Sequence, residues 1–284
     1  MSSSNGQPLP QSGSAARPLI IEFIGTPGSG KTTLSKVLVA LLREQGIQAA
    51  TVLDAAREHA RRTLLGRPIE RIAPASLRGP LLWWVFYLLG TIHAVAFTRD
   101  HAALAQHVLR AQLGRPIGIA TKRHILFWLF QLWGRYRFLT ATPVSGEALV
   151  LDDGLLHRCV HLAASHVEEP DAETVATYVD LLPRADLVIN TIAGREVCQR
   201  RVRERGVWAH SRRLSAAELS RYLGNAERVI HLAVGRAREL GWPVVEIATE
   251  GREMNRVMYD LRMAIEPLLG VGPALERSQI RALK

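Results

Sequence analysis

The sequence predicts an α/β fold, in which a five-stranded parallel sheet has helices on both faces and carries a large helical insertion. Three observations predict this fold. Short apolar runs alternate along the chain with segments of helical periodicity. A glycine-rich loop separates the first apolar run from the first helix. A long stretch of helical pattern, without a strand pattern, follows the second run.

The first strand is expected at 18–25, where PLIIEFIG is a short apolar run that ends in glycine. Such a run is typical of a strand buried on both faces. Apolar residues at helical spacing predict a helix over 34–44 that ends near Gly46, and a second strand over 49–54. Mostly helical patterns fill 55–140, which is the expected insertion.

Three further strands are expected at 148–151, 186–190 and 243–248, and each is short and rich in aliphatic or β-branched residues. Helical segments separate these strands along the chain. Because a strand that returns through a helix joins its neighbour in the same direction, all five strands are expected to run parallel.

Length and composition indicate a single domain. The chain has 284 residues, of which 48% are hydrophobic and 22% charged, which is enough for one full core. The domain is expected at 18–268, between a disordered N-terminal tail at 1–17 and a loose C-terminal tail at 269–284. The two cysteines give no disulfide framework and no zinc spacing, and the N-terminus lacks the pattern of a secretory signal. A cytoplasmic location is therefore expected.

The net charge of +10 favours an anionic ligand. Arginines are concentrated around 195–213, and no nucleic-acid-binding motif accompanies them. A phosphate-rich small molecule is therefore the expected partner, and nucleic acid is not. A homodimer stays open.

The loop after the first strand has the pattern of a phosphate-binding loop. GTPGSGKT matches G-x-x-x-x-G-K-[ST], with Gly25, Gly30, Lys31 and Thr32 at the fixed positions. Lys31 is expected to reach the β and γ phosphates of ATP, while the Thr32 hydroxyl binds Mg²⁺. Backbone N–H groups and the positive end of the following helix would hold the phosphate oxygens. The residues expected to bind ATP here are Gly25, Thr26, Pro27, Gly28, Ser29, Gly30, Lys31, Thr32 and Thr33.

Carboxylates follow two of the expected strands. Asp152 and Asp153 end the run ALVLDD, and Asp54 ends TVLD. Because ligands of open parallel sheets lie at the carboxyl ends of the strands, Asp152 is expected to hold Mg²⁺ beside the loop. Asp153 is either a catalytic carboxylate or the N-cap of the next helix. Asp54 either accepts a proton from a substrate hydroxyl or caps the helix that follows.

Arg201 and Arg205 lie four residues apart, so one face of a helix presents both. Guanidinium groups bind pairs of phosphate oxygens and keep their charge, which suits these two residues to the transferring phosphoryl group. The alternative is a solvated basic helix.

Taken together, the glycine-rich loop and the segment at 185–206 resemble the thymidylate kinase and adenylate kinase branch of P-loop kinases. Glu196, Arg201, Arg205 and Gly206 match the family's helix that ends in R-x-x-x-R-G before a mobile lid. The resemblance implies a lid at about 206–214, ATP with Mg²⁺, and an acceptor site under the helical insertion. It also implies that Ala248, at the end of the last strand, lies near the adenine base.

One departure from that family concerns the acceptor. Thymidylate kinases carry Asp-Arg at the end of the third strand, and the arginine helps to hold the acceptor phosphate, whereas Asp153 occupies that position in this chain. A carboxylate would repel a monophosphate unless Arg57 or Arg123 replaces the arginine. A hydroxyl acceptor, with Asp54 or Asp153 as base, stays open. GTPase function is not favoured, because NTIAG stands where the guanine motif would be.

The segment 79–98 contains no charged residue and is long enough to cross a membrane. A single crossing would place Lys31 and Asp152 on opposite sides of the membrane, although both are expected at the same sheet. The segment is therefore expected to be buried in the acceptor region, or to contact lipid or an apolar partner. His157 and His161 lie four residues apart, but no zinc motif accompanies them, and a metal site there is not favoured.

Together these patterns predict an ATP- and Mg²⁺-dependent phosphotransferase that acts on a small molecule, with Arg201 or Arg205 stabilising the transition state. The alternative is an ATP-dependent switch or scaffold, peripheral to a membrane, that has no small-molecule acceptor.

Overall fold

The computed structural model describes residues 17–141, 148–205 and 214–269. The expected lid lies outside these ranges except for Leu214. The two expected tails also lie outside them, except for Arg17 and Leu269.

Five strands form one sheet, in which every pairing is parallel and the order is β2-β3-β1-β4-β5. The predicted fold class is therefore confirmed. β1 occupies the centre because its residues are apolar on both faces; Ile20, Ile21, Phe23 and Ile24 are all almost fully buried. The strands are β1 (Leu19–Gly25), β2 (Ala49–Thr51), β3 (Ala148–Leu151), β4 (Leu187–Ile192) and β5 (Val244–Ala248).

Helices cover both faces of the sheet. Ile21 and Phe23 of β1 face one hydrophobic cluster, and Ile20 and Ile24 face a second, larger one. The first cluster includes α1 and α11, and the second includes the insertion and α7–α10. The helices are α1 (Lys31–Glu44), α2 (Val52–Arg62), α3 (Gly66–Ile72), α4 (Ala75–Asp100), α5 (Ala102–Gly114), α6 (Ile119–Ala141), α7 (Arg158–Ala163), α8 (Ala172–Asp180), α9 (Arg195–Arg205), α10 (Ala216–Glu239) and α11 (Met254–Leu269).

The second strand is shorter than predicted. It ends at Thr51 instead of residue 54, because Thr51 is the N-cap of α2. The Thr51 hydroxyl accepts a hydrogen bond from the Asp54 amide at 3.2 Å and donates one to the Asp54 carboxylate at 2.8 Å. Such reciprocal bonds stabilise the N-terminus of a helix. β4, in contrast, runs two residues beyond its predicted end, to Ile192.

The insertion consists of α2 to α6 and lies between β2 and β3. α4 and α6 cross at Gly90 and Gly134, where the lack of side chains lets the two backbones approach closely. The insertion is joined to the rest of the domain at α7. Arg115 donates hydrogen bonds to the carbonyls of His161, Leu162 and Ala164.

Candidate active site

The loop between β1 and α1 has the geometry of an anion cradle. Gly30 is the N-cap of α1, with φ of 102°, and no side chain caps the helix. The first N–H groups of an α-helix have no acceptor within the helix, so this end of α1 carries partial positive charge and free donors. Phosphate oxygens satisfy both. Strand, glycine-rich loop and helix thus have the arrangement of a P-loop α/β protein.

Two glycines let neighbouring elements pack directly onto the loop. A Cβ on Gly25 would lie 2.2 Å from Oγ1 of Thr191 in β4. A Cβ on Gly28, whose φ is 91°, would lie 2.7 Å from the carbonyl oxygen of Cys198 in α9. Larger residues would push β4 and α9 away from the loop.

Hydrogen bonds from three elements fix the loop. The hydroxyls of Ser29 and Thr191 are 2.6 Å apart. Thr249, directly after β5, donates to the Ser29 carbonyl at 2.8 Å, and Arg201 of α9 donates to the Gly28 carbonyl at 3.1 Å. The sequence pattern identified Arg201 but missed Thr191. The signal for Thr191 was a hydroxyl near the carboxyl end of a buried strand.

Lys31 folds back over the loop. Its Nζ donates to the carbonyls of Gly25 at 2.6 Å and Thr26 at 3.2 Å. Burial lowers the pKa of Lys31 to about 8, while the carboxylates of Asp153 and Asp152 oppose this shift. Arg205 also acts on Lys31 and lowers its pKa further. The structure therefore gathers the predicted lysine, both aspartates and Arg205 around the loop.

The other predicted loop residues line the same turn. Thr32 and Thr33 are exposed in the first turn of α1, while Pro27 is buried. Asp152 directly follows β3, the neighbour of β1, and is half-buried. The Thr32 hydroxyl and the Asp152 carboxylate are oxygen donors, the ligand type that Mg²⁺ prefers. Ala248 is the last residue of β5, beside the Thr249 that binds the loop.

Asp54 lies apart from this group. It is exposed in the first turn of α2, hydrogen-bonded to Thr51. It lines a groove with Arg43, Arg57 and Arg61, and neither Lys31 nor Asp153 lines that groove. In the structure Asp54 therefore acts as a capping residue.

Asp153 lies within a group of basic side chains. Its carboxylate forms an ion pair with Arg158 at 2.7 Å and lies 3.9 Å from Nε2 of His157. The ligand atoms of Asp153, His157 and His161 all lie within 4.8 Å of one another, a grouping that the sequence did not favour as a metal site. Burial, together with the charges of Lys31 and Arg158, lowers the pKa of His157 well below its usual value and that of His161 to about 4. A cation would enter this group against two positive charges.

Glu22 is a site residue that the sequence pattern missed. It is 2% exposed in the middle of β1 and accepts hydrogen bonds from the amides of Leu155 at 3.1 Å and Leu156 at 2.8 Å. Burial raises the pKa of Glu22 to about 7, although these hydrogen bonds favour the charged form. The carboxylate thus anchors the segment that follows Asp152 and Asp153. The signal was a charged residue inside an apolar run.

Three arginines, Arg57 and Arg135 of the insertion and Arg158 of α7, lie close enough for their charges to interact. Arg57 lies over the Trp83 ring at 5.3 Å, and Arg135 over the Phe86 ring at 4.6 Å. Burial lowers the pKa of Arg135, the charges of Arg158 and Arg57 lower it further, and the Tyr87 phenol raises it. The Nε atoms of Arg135 and Arg158 are buried without a hydrogen-bond partner. Arg57 is exposed and Arg158 is paired with Asp153, so Arg135, which is partly buried, is the cation that an anion would stabilise most.

No family model and no curated protein matches the chain. The solved structures that resemble it include deoxyadenosine kinase from M. mycoides. The dATP complex is 13% identical with a TM-score of 0.41, and the match covers 88% of this chain and 99% of the other. The dCTP complex is 12% identical with a TM-score of 0.38, and covers 89% and 100%. A likeness of this extent does not identify a substrate for this chain.

Proposed function

We propose that this protein is an ATP- and Mg²⁺-dependent kinase that transfers the γ-phosphoryl group to a small molecule. The observation that carries the proposal is the uncapped N-terminus of α1, with Lys31 folded over the loop and Arg201 bonded to the same loop. The helix end and both side chains place positive charge around one loop, and a triphosphate is an anion that this charge would hold.

Each residue has a role in this proposal. Lys31 moves its ammonium group from the loop carbonyls to the β and γ phosphates, while Arg201 and Arg205 neutralise charge on the transferring group. Thr32 and Asp152 would hold Mg²⁺, which when bound draws charge from the phosphate oxygens. In the transfer itself, the bond from the bridging oxygen to the γ phosphorus breaks as an acceptor oxygen bonds to that phosphorus.

The arginine cluster indicates the acceptor. Arg57 and Arg135 favour an anionic group, and the aromatic rings beside them favour a flat one. Asp153 does not oppose such an acceptor, because its charge is already paired with Arg158. We therefore propose a planar ring compound that bears a phosphate or carboxylate group. Nucleoside monophosphates are the first compounds to test.

The test of ATP use is a comparison of Lys31→Ala with Lys36→Ala, an exposed lysine on the same helix. ADP release is measured with nucleosides, monophosphates, sugars and lipid alcohols as acceptors. Lys31→Ala should lower turnover by about 10²- to 10³-fold, as expected when a charged group on the transition state is lost, and Lys36→Ala should change it little. Equal turnover in the two variants would contradict the proposal. If no acceptor increased ADP release, the alternative function, an ATP-dependent switch or scaffold, would be favoured.

The test of the acceptor site is Arg135→Met against Arg110→Met, since Arg110 is exposed on α5 and was not assigned to the acceptor. Arg135→Met should raise the KM for an anionic acceptor by about 10- to 100-fold, the cost of a buried charged hydrogen bond, and leave the Kd for ATP unchanged. An unchanged KM would show that the cluster does not bind the acceptor.

A further inference from the structure

A continuous row of apolar side chains follows one face of α4 and is exposed to solvent. Trp84 is 75% exposed, Val95 60% and Ile92 55%. Spacings of three and four residues place all members of the row on one side of the helix. From first to last it extends about 27 Å at 1.5 Å per residue. We call it the α4 stripe; its residues are Leu77, Leu81, Trp84, Leu88, Ile92 and Val95.

The opposite face of α4 is packed against protein. Phe86, Gly90 and Phe97 are buried, and Gly90 contacts α6 so closely that a Cβ on Gly134 would lie 1.8 Å from the Gly90 carbonyl oxygen. α4 is long and apolar enough to cross a membrane, and 28% of its apolar window is buried within the protein. A helix with one face bound to its own domain and one apolar face exposed suits a membrane surface better than a crossing.

The insertion also carries nearly all of the excess positive charge. Residues 52–141 contain thirteen arginines and lysines and only four aspartates and glutamates, which leaves nine of the ten surplus charges of the chain in this segment. Arg67 and Arg71 of α3 are exposed before α4, and Arg99 lies exposed where the stripe ends. Apolar side chains flanked by arginine favour a surface that is apolar beneath and anionic above.

We propose that the α4 stripe docks onto an anionic lipid bilayer, with α4 parallel to the surface and Trp84 at the level of the headgroups. This inference does not depend on the proposed kinase activity. A second copy of this chain fits the surface less well, because self-association through the stripe would bring together two segments that each carry nine surplus positive charges. Phosphatidylglycerol or phosphatidylserine supplies the opposite charge.

The test is co-sedimentation of the full chain with vesicles of pure phosphatidylcholine and with vesicles that contain 30 mol% phosphatidylglycerol, a composition chosen to carry surface charge. The protein should sediment with the anionic vesicles at least tenfold more strongly, and high salt should weaken that binding, because the arginines act through screened charge. Equal binding to both vesicles, or binding to neither, would overturn the proposal.

Two variants separate the stripe from charge in general. Trp84→Gln, Leu88→Gln and Ile92→Gln together should lower binding to anionic vesicles at least tenfold, and Arg67→Glu with Arg71→Glu should lower it and its salt dependence. The matched control is Val167→Gln with Met254→Gln, two exposed apolar residues outside the insertion. Far-UV circular dichroism and urea unfolding confirm that each variant is folded. The proposal would be wrong if the stripe variant still bound anionic vesicles. It would also be wrong if the substitutions changed only the association of the chain with a second copy of itself.

Discussion

At the scale of the residue, Glu22 shows how one buried carboxylate makes stability depend on pH. Its pKa is raised to about 7 from an ordinary 4.5, because burial in β1 disfavours the charged form. The folded state therefore binds more protons than the unfolded state between these two values. The contribution of Glu22 to stability is complete below about pH 4.5 and is lost as the pH rises through about 7.

Glu22→Gln tests this linkage. The neutral amide has no charge to bury, so the difference in the free energy of unfolding between the protein and this variant should move in favour of the variant by up to about 3 kcal/mol between pH 5 and pH 8. Urea unfolding at four pH values measures it. His157 and His161 titrate in both proteins and cancel in the difference. A difference that does not vary with pH would show that Glu22 is ionised throughout.

At the scale of the element, the crossing of α4 and α6 depends on two glycines. A Cβ on Gly134 would lie 1.8 Å from the Gly90 carbonyl oxygen and 3.1 Å from the Ala94 amide nitrogen. Both are backbone atoms of a helix, so neither can rotate away as a side chain would. The helices would have to move apart, and the buried contacts between them would be lost.

Gly134→Ala should therefore lower the free energy of unfolding by about 1–3 kcal/mol, the usual cost of overpacking. The control is Gly235→Ala in α10, where an added Cβ has no neighbour within 4 Å. That change should stabilise the protein by about 0.5–1 kcal/mol through helix propensity. Urea unfolding of both variants measures the contrast. If Gly134→Ala also stabilised the protein, the crossing would be looser than the structure shows.

At the scale of the whole molecule, the sequence predicted the sheet well because its strands are buried on both faces. Four strands lie within two residues of the positions read from apolar runs, and the glycine-rich loop occupies the junction that its motif requires. β2 was predicted too long, since Thr51 can continue a strand or cap a helix and the pattern does not distinguish the two.

The rest of the candidate site depends on contacts between residues that are distant in sequence. Thr191 and Thr249 reach the loop because β4 pairs with β1 and β5 pairs with β4 in the sheet. The arginine cluster joins residues from α2, α6 and α7, and no local pattern relates them. Spacing in sequence could therefore indicate the phosphate loop but could not indicate the acceptor region.

The insertion and the rest of the domain should unfold as one unit, because Arg115 joins the insertion to α7. Its guanidinium donates to the carbonyls of His161, Leu162 and Ala164 at 2.7 to 2.9 Å. These carbonyls lie at the C-terminal end of α7, where the helix dipole interacts favourably with a positive charge. Arg115→Met removes the hydrogen bonds that Arg115 donates to these three carbonyls and should cost about 2–4 kcal/mol.

Two probes of urea unfolding test this coupling, because four of the six tryptophans lie in the insertion, whereas far-UV circular dichroism reports on every helix. The two transitions should coincide in the unaltered protein and shift together in Arg115→Met. Arg110→Met, an exposed position on α5, should shift them by less than about 0.5 kcal/mol. If fluorescence changed at lower urea than circular dichroism in the unaltered protein, the insertion would open alone. Arg115 would then be too weak a connection to hold the proposed acceptor region against the glycine-rich loop.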